Sequence, residues 1–103
     1  MNEEQFQSAM ERIRIIANHY SKKNQWKKAQ EEVRELLLEL YGAGNPFGWE
    51  DTVNLTGNTW SECADAFIMI MQLTIQHDKQ EEFWKWVDYK LNRQLGRMEN
   101  EQH

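Results

Sequence analysis

Five acids in two short runs carry the chemical interest of this chain: Glu31, Glu32 and Glu35 in "EEVRE", and Glu62 and Asp65 in "ECAD". Successive helical residues advance by about 100°, so positions three or four apart share a face. Gln25, Lys28, Glu32, Glu35 and Glu39 therefore lie along one line, with Glu31 off to its side, and Glu62 and Asp65 share a second line. Antiparallel packing of the two segments brings four carboxylates toward one point. Acids that face one another in a poorly solvated groove repel, and burying them unpaired is costly. Either one stays protonated or a multivalent cation neutralises the group. Carboxylates without a His or Cys partner suit a hard ion, Mg²⁺ or Mn²⁺, rather than zinc. Such an ion keeps open positions and is suited to binding phosphates.

Each run alone has a plainer explanation. Charged helix faces are usually just solvated, which would account for "EEVRE". Thr59-Trp60-Ser61-Glu62 fits a capping box in which Glu62 reaches back to Thr59. Asp65 sits a turn further in, between Ala64 and Ala66, where neither explanation reaches. The two runs together favour the metal reading. The histidines add nothing to it: His19, His77 and His103 fall at helix ends or the terminus, and none stands three residues after a Glu of either run. That spacing disfavours a di-iron bundle of the Glu-x-x-His kind. Cys63 reads as a small buried filler.

The segments that position these acids read as helices. Segment one, about Asn2 to Tyr20, carries an apolar stripe of Phe6, Met10, Ile13, Ala17 and Tyr20. "SKKN" follows as a connector or kink. Segment two, about Gln25 to Tyr41, has the stripe Val33, Leu36, Leu37 and Leu40, with Gly42 as a natural stop. Segment three, about Thr59 to His77, contains "AFIMIM", apolar on every side as in a helix packed all round. Segment four, from Lys79 or Gln80 to Met98, has the stripe Trp84, Val87, Leu91, Leu95 and Met98. Between segments two and three lies "GAGNPFGWEDTVNLTGN", long enough to suggest a functional loop. No β pattern is visible. The expected fold class is all-α, four helices in one domain spanning residues 1–103, the two central helices antiparallel neighbours.

Composition narrows the setting. At 103 residues the chain sits near the lower limit for a comfortable core of its own, yet it carries five Trp, four Phe, three Tyr and five Met. An oligomer that shares this apolar load is expected. The net charge of −5 argues against general nucleic-acid binding. A single Cys precludes an internal disulfide, and the simplest expectation is a reduced, cytoplasmic setting. The N-terminus has no apolar signal core. The longest apolar run, Ala66 to Met71, is too short to span a bilayer, so no membrane association is expected.

"EEVRE" followed by "ECAD" resembles the EExxE…ExxD signature of the MazG-like all-α nucleoside triphosphate pyrophosphohydrolases. The similarity extends upstream to "QWKKAQEE" and downstream to "YKLNRQLGRM", covering about Gln25 to Met98. The resemblance implies a four-helix MazG-like bundle that cleaves a nucleoside triphosphate to a monophosphate and pyrophosphate. It implies Mg²⁺ held by Glu32, Glu35, Glu62 and Asp65, with Glu31 supporting or orienting a water. It also implies a homodimer or homotetramer in which helices from two chains complete the site.

A triphosphate needs further cations. Lys28 lies one turn before Glu32, and Lys90, Arg93 and Arg97 form a basic stripe on segment four. Lys28, Lys90 and Arg93 are the expected phosphate contacts, an Arg fork being suited to phosphate oxygens. Arg97 reads better as a complement to the helix dipole. In the long loop Trp49 is the candidate base or lid contact, with Asn45 and Asn54 as hydrogen-bonders. The competing expectation is a non-catalytic helical interaction module of the same fold, for which the aromatic load and small size argue.

Overall fold

The computed structural model describes residues 1–43 and 55–101. They form four helices: α1 (Glu3–His19), α2 (Lys22–Ala43), α3 (Gly57–Gln76) and α4 (Gln80–Glu101). No strand occurs among the described residues. No described helix is long and apolar enough to cross a membrane. Trp49, Asn45 and Asn54 lie outside the described residues.

Local chemistry sets the helix ends. Asn2 caps α1: its Oδ1 accepts from the Gln5 N–H at 2.8 Å, and the Gln5 side chain accepts from the Asn2 N–H at 2.8 Å. Glu3 and Glu4 in the first turn complement the dipole. "SKKN", expected to be a connector or a kink, opens α2: Ser21 lies in the break after α1, and Lys22, Lys23 and Asn24 form the first turn. Ser21 Oγ accepts from the Asn24 N–H at 3.1 Å, and the Ser21 carbonyl accepts from Gln25 at 3.0 Å. Two lysines in a first turn oppose the dipole, which hid this start from a reading by charge. Gly42 does not stop α2, which runs on to Ala43.

α3 ends in a paired-hydrogen-bond cap. The Lys79 N–H donates to the Thr74 carbonyl at 2.8 Å and the Asp78 N–H to Ile75 at 3.1 Å, with Asp78 at φ 54°. This is the position at which Gly is usual, because an L side chain there is strained. Asp78→Gly is therefore expected to stabilise the protein by roughly 0.5–1 kcal/mol in chemical denaturation.

α3 is the centre of the packing, with α2 along one side and α1 along another. The core is small: Ile13, Ala17, Ala29, Ala66, Met69 and Met71 are its buried apolar residues, and half of them are alanines. Gln76 ties the C-terminal end of α1 to α3, its Nε2 donating to the Ala17 and Tyr20 carbonyls at 2.8 Å each.

Three expectations about the core change. The face of α2 turned to α3 is Gln25, Ala29, Glu32, Leu36 and Glu39, buried or half-buried, whereas Val33, Leu37 and Leu40 are exposed. Hydrophobicity alone selects the wrong side of α2, because its polar line packs inward. α3 is not packed all round, since Phe67 and Ile70 remain exposed. α4 has no buried residue; of its stripe Val87 is half-buried, and Trp84, Leu91, Leu95 and Met98 are exposed. The radius of gyration of 16.8 Å exceeds the roughly 13 Å of a compact chain of this length. Within one chain, three helices pack together and the fourth stands largely apart.

Candidate metal centre

The register of α2 against α3 assembles the acids. Glu39 Oε1 accepts from Thr59 Oγ1 at 3.0 Å, and Glu39 Oε2 accepts from Asn58 Nδ2 at 2.8 Å. One turn further along α3, Glu62 meets Glu35 and Glu32. Numbers rise along α3 as they fall along α2, so the two helices run antiparallel, as expected. Ala29 on α2 and Ala66 on α3 are both buried.

Carboxylate oxygens of Glu32, Glu35 and Glu62 lie within 4.8 Å of one another. Glu32 is only 7% exposed. Its Oε1 pairs with Lys28 Nζ at 3.1 Å, whereas its Oε2 is buried without a hydrogen-bond partner. Glu62 Oε2 is likewise buried and unpartnered. The Glu62 carboxyl is pushed above the ordinary carboxylate range, first by burial, then by the charges of Glu35, Asp65, Glu32 and Glu39. The Lys28 ammonium is held above its usual value by its hydrogen bond and charge interaction with Glu32, with a smaller contribution from Glu31.

The group fits a hard divalent cation. Its donors are carboxylate oxygens only, and it contains no His or Cys. Oxygens around octahedral Mg²⁺ lie about 3 Å apart in cis and about 4 Å in trans, so three donors within 4.8 Å need little movement to converge. The two orphaned oxygens are the atoms such an ion would satisfy.

The capping alternative for Glu62 does not hold. α3 begins at Gly57, and Thr59 lies inside its first turn. The Thr59 Oγ1 accepts from the Thr56 N–H at 3.1 Å and donates to Glu39, so the α3 start is closed without Glu62. Asp65 is exposed and does not join the three glutamates, although its charge is felt at Glu62. Height along the pair does not separate it: with Glu39 opposite Thr59 and Glu35 opposite Glu62, Asp65 comes near the level of Glu32. It stands about 60° round α3 from Glu62, with its side chain exposed. Glu31 is exposed and off the line, within 3.6 Å of Lys28 Nζ. His19 and His77 sit at helix ends, exposed, and Cys63 is half-buried.

Of the expected phosphate cations, Lys28 stands at the acids, where it is paired with Glu32 and Glu31. Lys90 and Arg93 are exposed on α4, make no ion pair among the described residues, and are not among the charges that shift Glu62. Replacing Lys28 with Met removes the cation that half-neutralises buried Glu32. The expected result is a lower Tm without metal and a larger Mg²⁺-induced rise, read by thermal unfolding with and without the ion.

Glu39 is the residue that sequence reasoning placed on the line but gave no role. It fastens the head of α3 to α2, and Thr59, 1% exposed, depends on it for an acceptor. Its signal was available: a third acid on the Glu32–Glu35 face, within reach of the polar head of the next helix. Glu39→Ala leaves the buried Thr59 hydroxyl without that acceptor and should cost about 1–3 kcal/mol in denaturation. Glu39→Gln keeps an acceptor and should cost less.

No family model matches this chain, and no curated protein and no solved structure matches it either.

Proposed function

We propose that this protein is a Mg²⁺-dependent nucleoside triphosphate pyrophosphohydrolase that releases pyrophosphate and a monophosphate and works as a homodimer or homotetramer. The observation that carries the reading is the convergence of Glu32, Glu35 and Glu62 with two buried carboxylate oxygens left unpartnered. The resemblance of "EEVRE" and "ECAD" to the MazG-like signature supplies the reaction class. Glu32, Glu35 and Glu62 would hold the ion, with Asp65 as a fourth ligand after a side-chain rotation; Mn²⁺ would serve in place of Mg²⁺. Such an ion supplies Lewis acidity toward phosphate oxygens and a more acidic water at neutral pH.

The chain's own residues do the remainder. Burial and neighbouring charge raise the proton affinity of Glu62, which suits a carboxylate that takes a proton from water when it is not fully committed to metal. Lys28 limits the negative charge that an approaching triphosphate meets. Glu39 keeps α3 in register, so that Glu62 stays opposite Glu35. Lys90 and Arg93 are phosphate contacts in this reading only where a second chain brings an α4 to the acids.

The test is pyrophosphate release from each NTP and dNTP with Mg²⁺. Release that disappears in Glu35→Gln supports the reading, and no release from any nucleotide by folded protein overturns it. The exposed apolar faces of α2 and α4 favour a second reading, a non-catalytic helical interaction module. In that case Mg²⁺ leaves the Tm unchanged and substitution of the acids is neutral or stabilising.

A further inference from the structure

Two apolar surfaces of this chain match each other and do not meet. The first is a groove of about 470 Å³ between α1 and α3, walled by Phe6, Met10, Ile13 and Ile16 on one side and Phe67 and Ile68 on the other. The second is the stripe Trp84, Leu91, Leu95 and Met98 on α4. On a helix these four positions fall within a sector of about 60°, so they form one ridge. Leu91 and Leu95 are each 59% exposed, more than a monomer of this size readily tolerates on one continuous ridge. No residue of α4 lines the groove.

We propose that two copies of this chain exchange α4, each ridge seating in the α1–α3 groove of the other copy. Length is compatible. Phe6 to Ile16 covers about 15 Å of helix and the ridge from Trp84 to Met98 about 21 Å, so the groove takes about three turns of a four-turn ridge. Charge agrees as well. Arg12 lies at the wall of the groove and has no carboxylate partner among the described residues; its Nε donates only to the Ser8 carbonyl at 3.3 Å. Asp88 stands on the ridge between Trp84 and Leu91 and makes no ion pair among the described residues. An α4 seated in the groove places one acid among apolar residues opposite one base among apolar residues.

The area is sufficient. Four half-exposed side chains offer roughly 400 Å² per ridge. Two ridges and two grooves then bury on the order of 1,600 Å² in total, the size of a standard stable interface. The connection permits the exchange, because α3 and α4 are joined by a short turn through Asp78, in the left-handed conformation, and α4 packs on its own α3 much less than α1 or α2 does. Exchange of an identical element is a low-cost route to a dimer. The inference gives a form to the oligomer of the preceding proposal and stands without its chemistry. Pyrophosphate assays and the measurements below can therefore fail separately.

The test uses the full chain and light-scattering mass, with circular dichroism to confirm that each variant stays helical. The wild type should show twice the 12.4 kDa chain mass. Leu91→Glu with Leu95→Glu should give a helical monomer. Arg12→Asp alone and Asp88→Arg alone should each weaken the dimer about tenfold or more, since each sets like charges together at both seats. Mixing those two variants should restore dimerisation, because in the mixed pair both seats have opposite charges again. Three results overturn the proposal: a wild type that remains monomeric at high concentration, a dimer indifferent to the Leu91 and Leu95 changes, or a mixture that does not recover. The second of these would point to the exposed Val33, Leu37 and Leu40 face of α2 as the contact between copies.

Discussion

Glu62→Gln is expected to abolish Mg²⁺-dependent pyrophosphate release while making the metal-free protein more stable. The two effects have one origin. Glu62 is half-buried, its Oε2 has no partner, and four acids surround it: Glu35, Asp65, Glu32 and Glu39. Without metal, an ionised carboxylate there is disfavoured by burial and by each neighbour. The amide removes that repulsion and keeps the shape, so the Tm measured in EDTA should rise. With metal the same substitution replaces a charged donor by a weaker neutral one at the centre of the group. Loss of a single preorganised electrostatic contact of this kind costs about 10²–10³-fold in rate. Measured together, turnover and Tm separate this reading from a purely structural one. A structural role predicts that both fall, and a solvated surface acid predicts that neither moves. Glu35→Gln should show the same loss of turnover with a smaller change in Tm, because Glu35 is exposed.

The contrast between Glu62 and Asp65 marks how far the sequence is informative. Helical periodicity places four helices, the antiparallel central pair and the line Glu32–Glu35–Glu39 without any coordinates. It also places Glu62 opposite that line. It does not fix the register, nor how far round α3 each acid turns from α2, and that turn leaves Glu62 half-buried in the group and Asp65 exposed outside it. Register here depends on Glu39 with Asn58 and Thr59, contacts about twenty residues apart that no local pattern encodes.

Reading the core by hydrophobicity misplaces α2 for a related reason. Its aliphatic line, Val33, Leu37 and Leu40, is the more apolar face, yet Ala29 and Glu32 are buried. A rule that buries the most apolar side presumes that all partners belong to the same chain. The apolar faces of α2 and α4 are exposed, so that presumption fails for the described residues. In the proposed exchange the stripe read on α4 is a ridge whose partner is the groove of a second copy.

The second large effect is a change in how stability depends on pH when Mg²⁺ is added. Glu62 has a folded-state pKa above the ordinary glutamate value of 4.5. The folded protein therefore binds more protons than the unfolded chain between 4.5 and that higher value, and stability falls as pH rises through this window. Below the window the penalty is absent, and above it the penalty is constant. Metal-free protein should accordingly gain Tm as the pH is lowered through this window, against the usual acid trend of paired carboxylates. Mg²⁺ binds the ionised group, so its stabilisation grows with pH over the same range and amounts to about 2.7 kcal/mol when the ion is at 100 times its Kd. The two Tm–pH curves should diverge as pH rises through the same window, and Glu62→Gln should flatten the metal-free curve. Curves that stay parallel would remove the divalent ion from the account of Glu32, Glu35 and Glu62. The two buried oxygens would then be satisfied by a proton held at Glu62, and the acids would be a pH-dependent seam between α2 and α3.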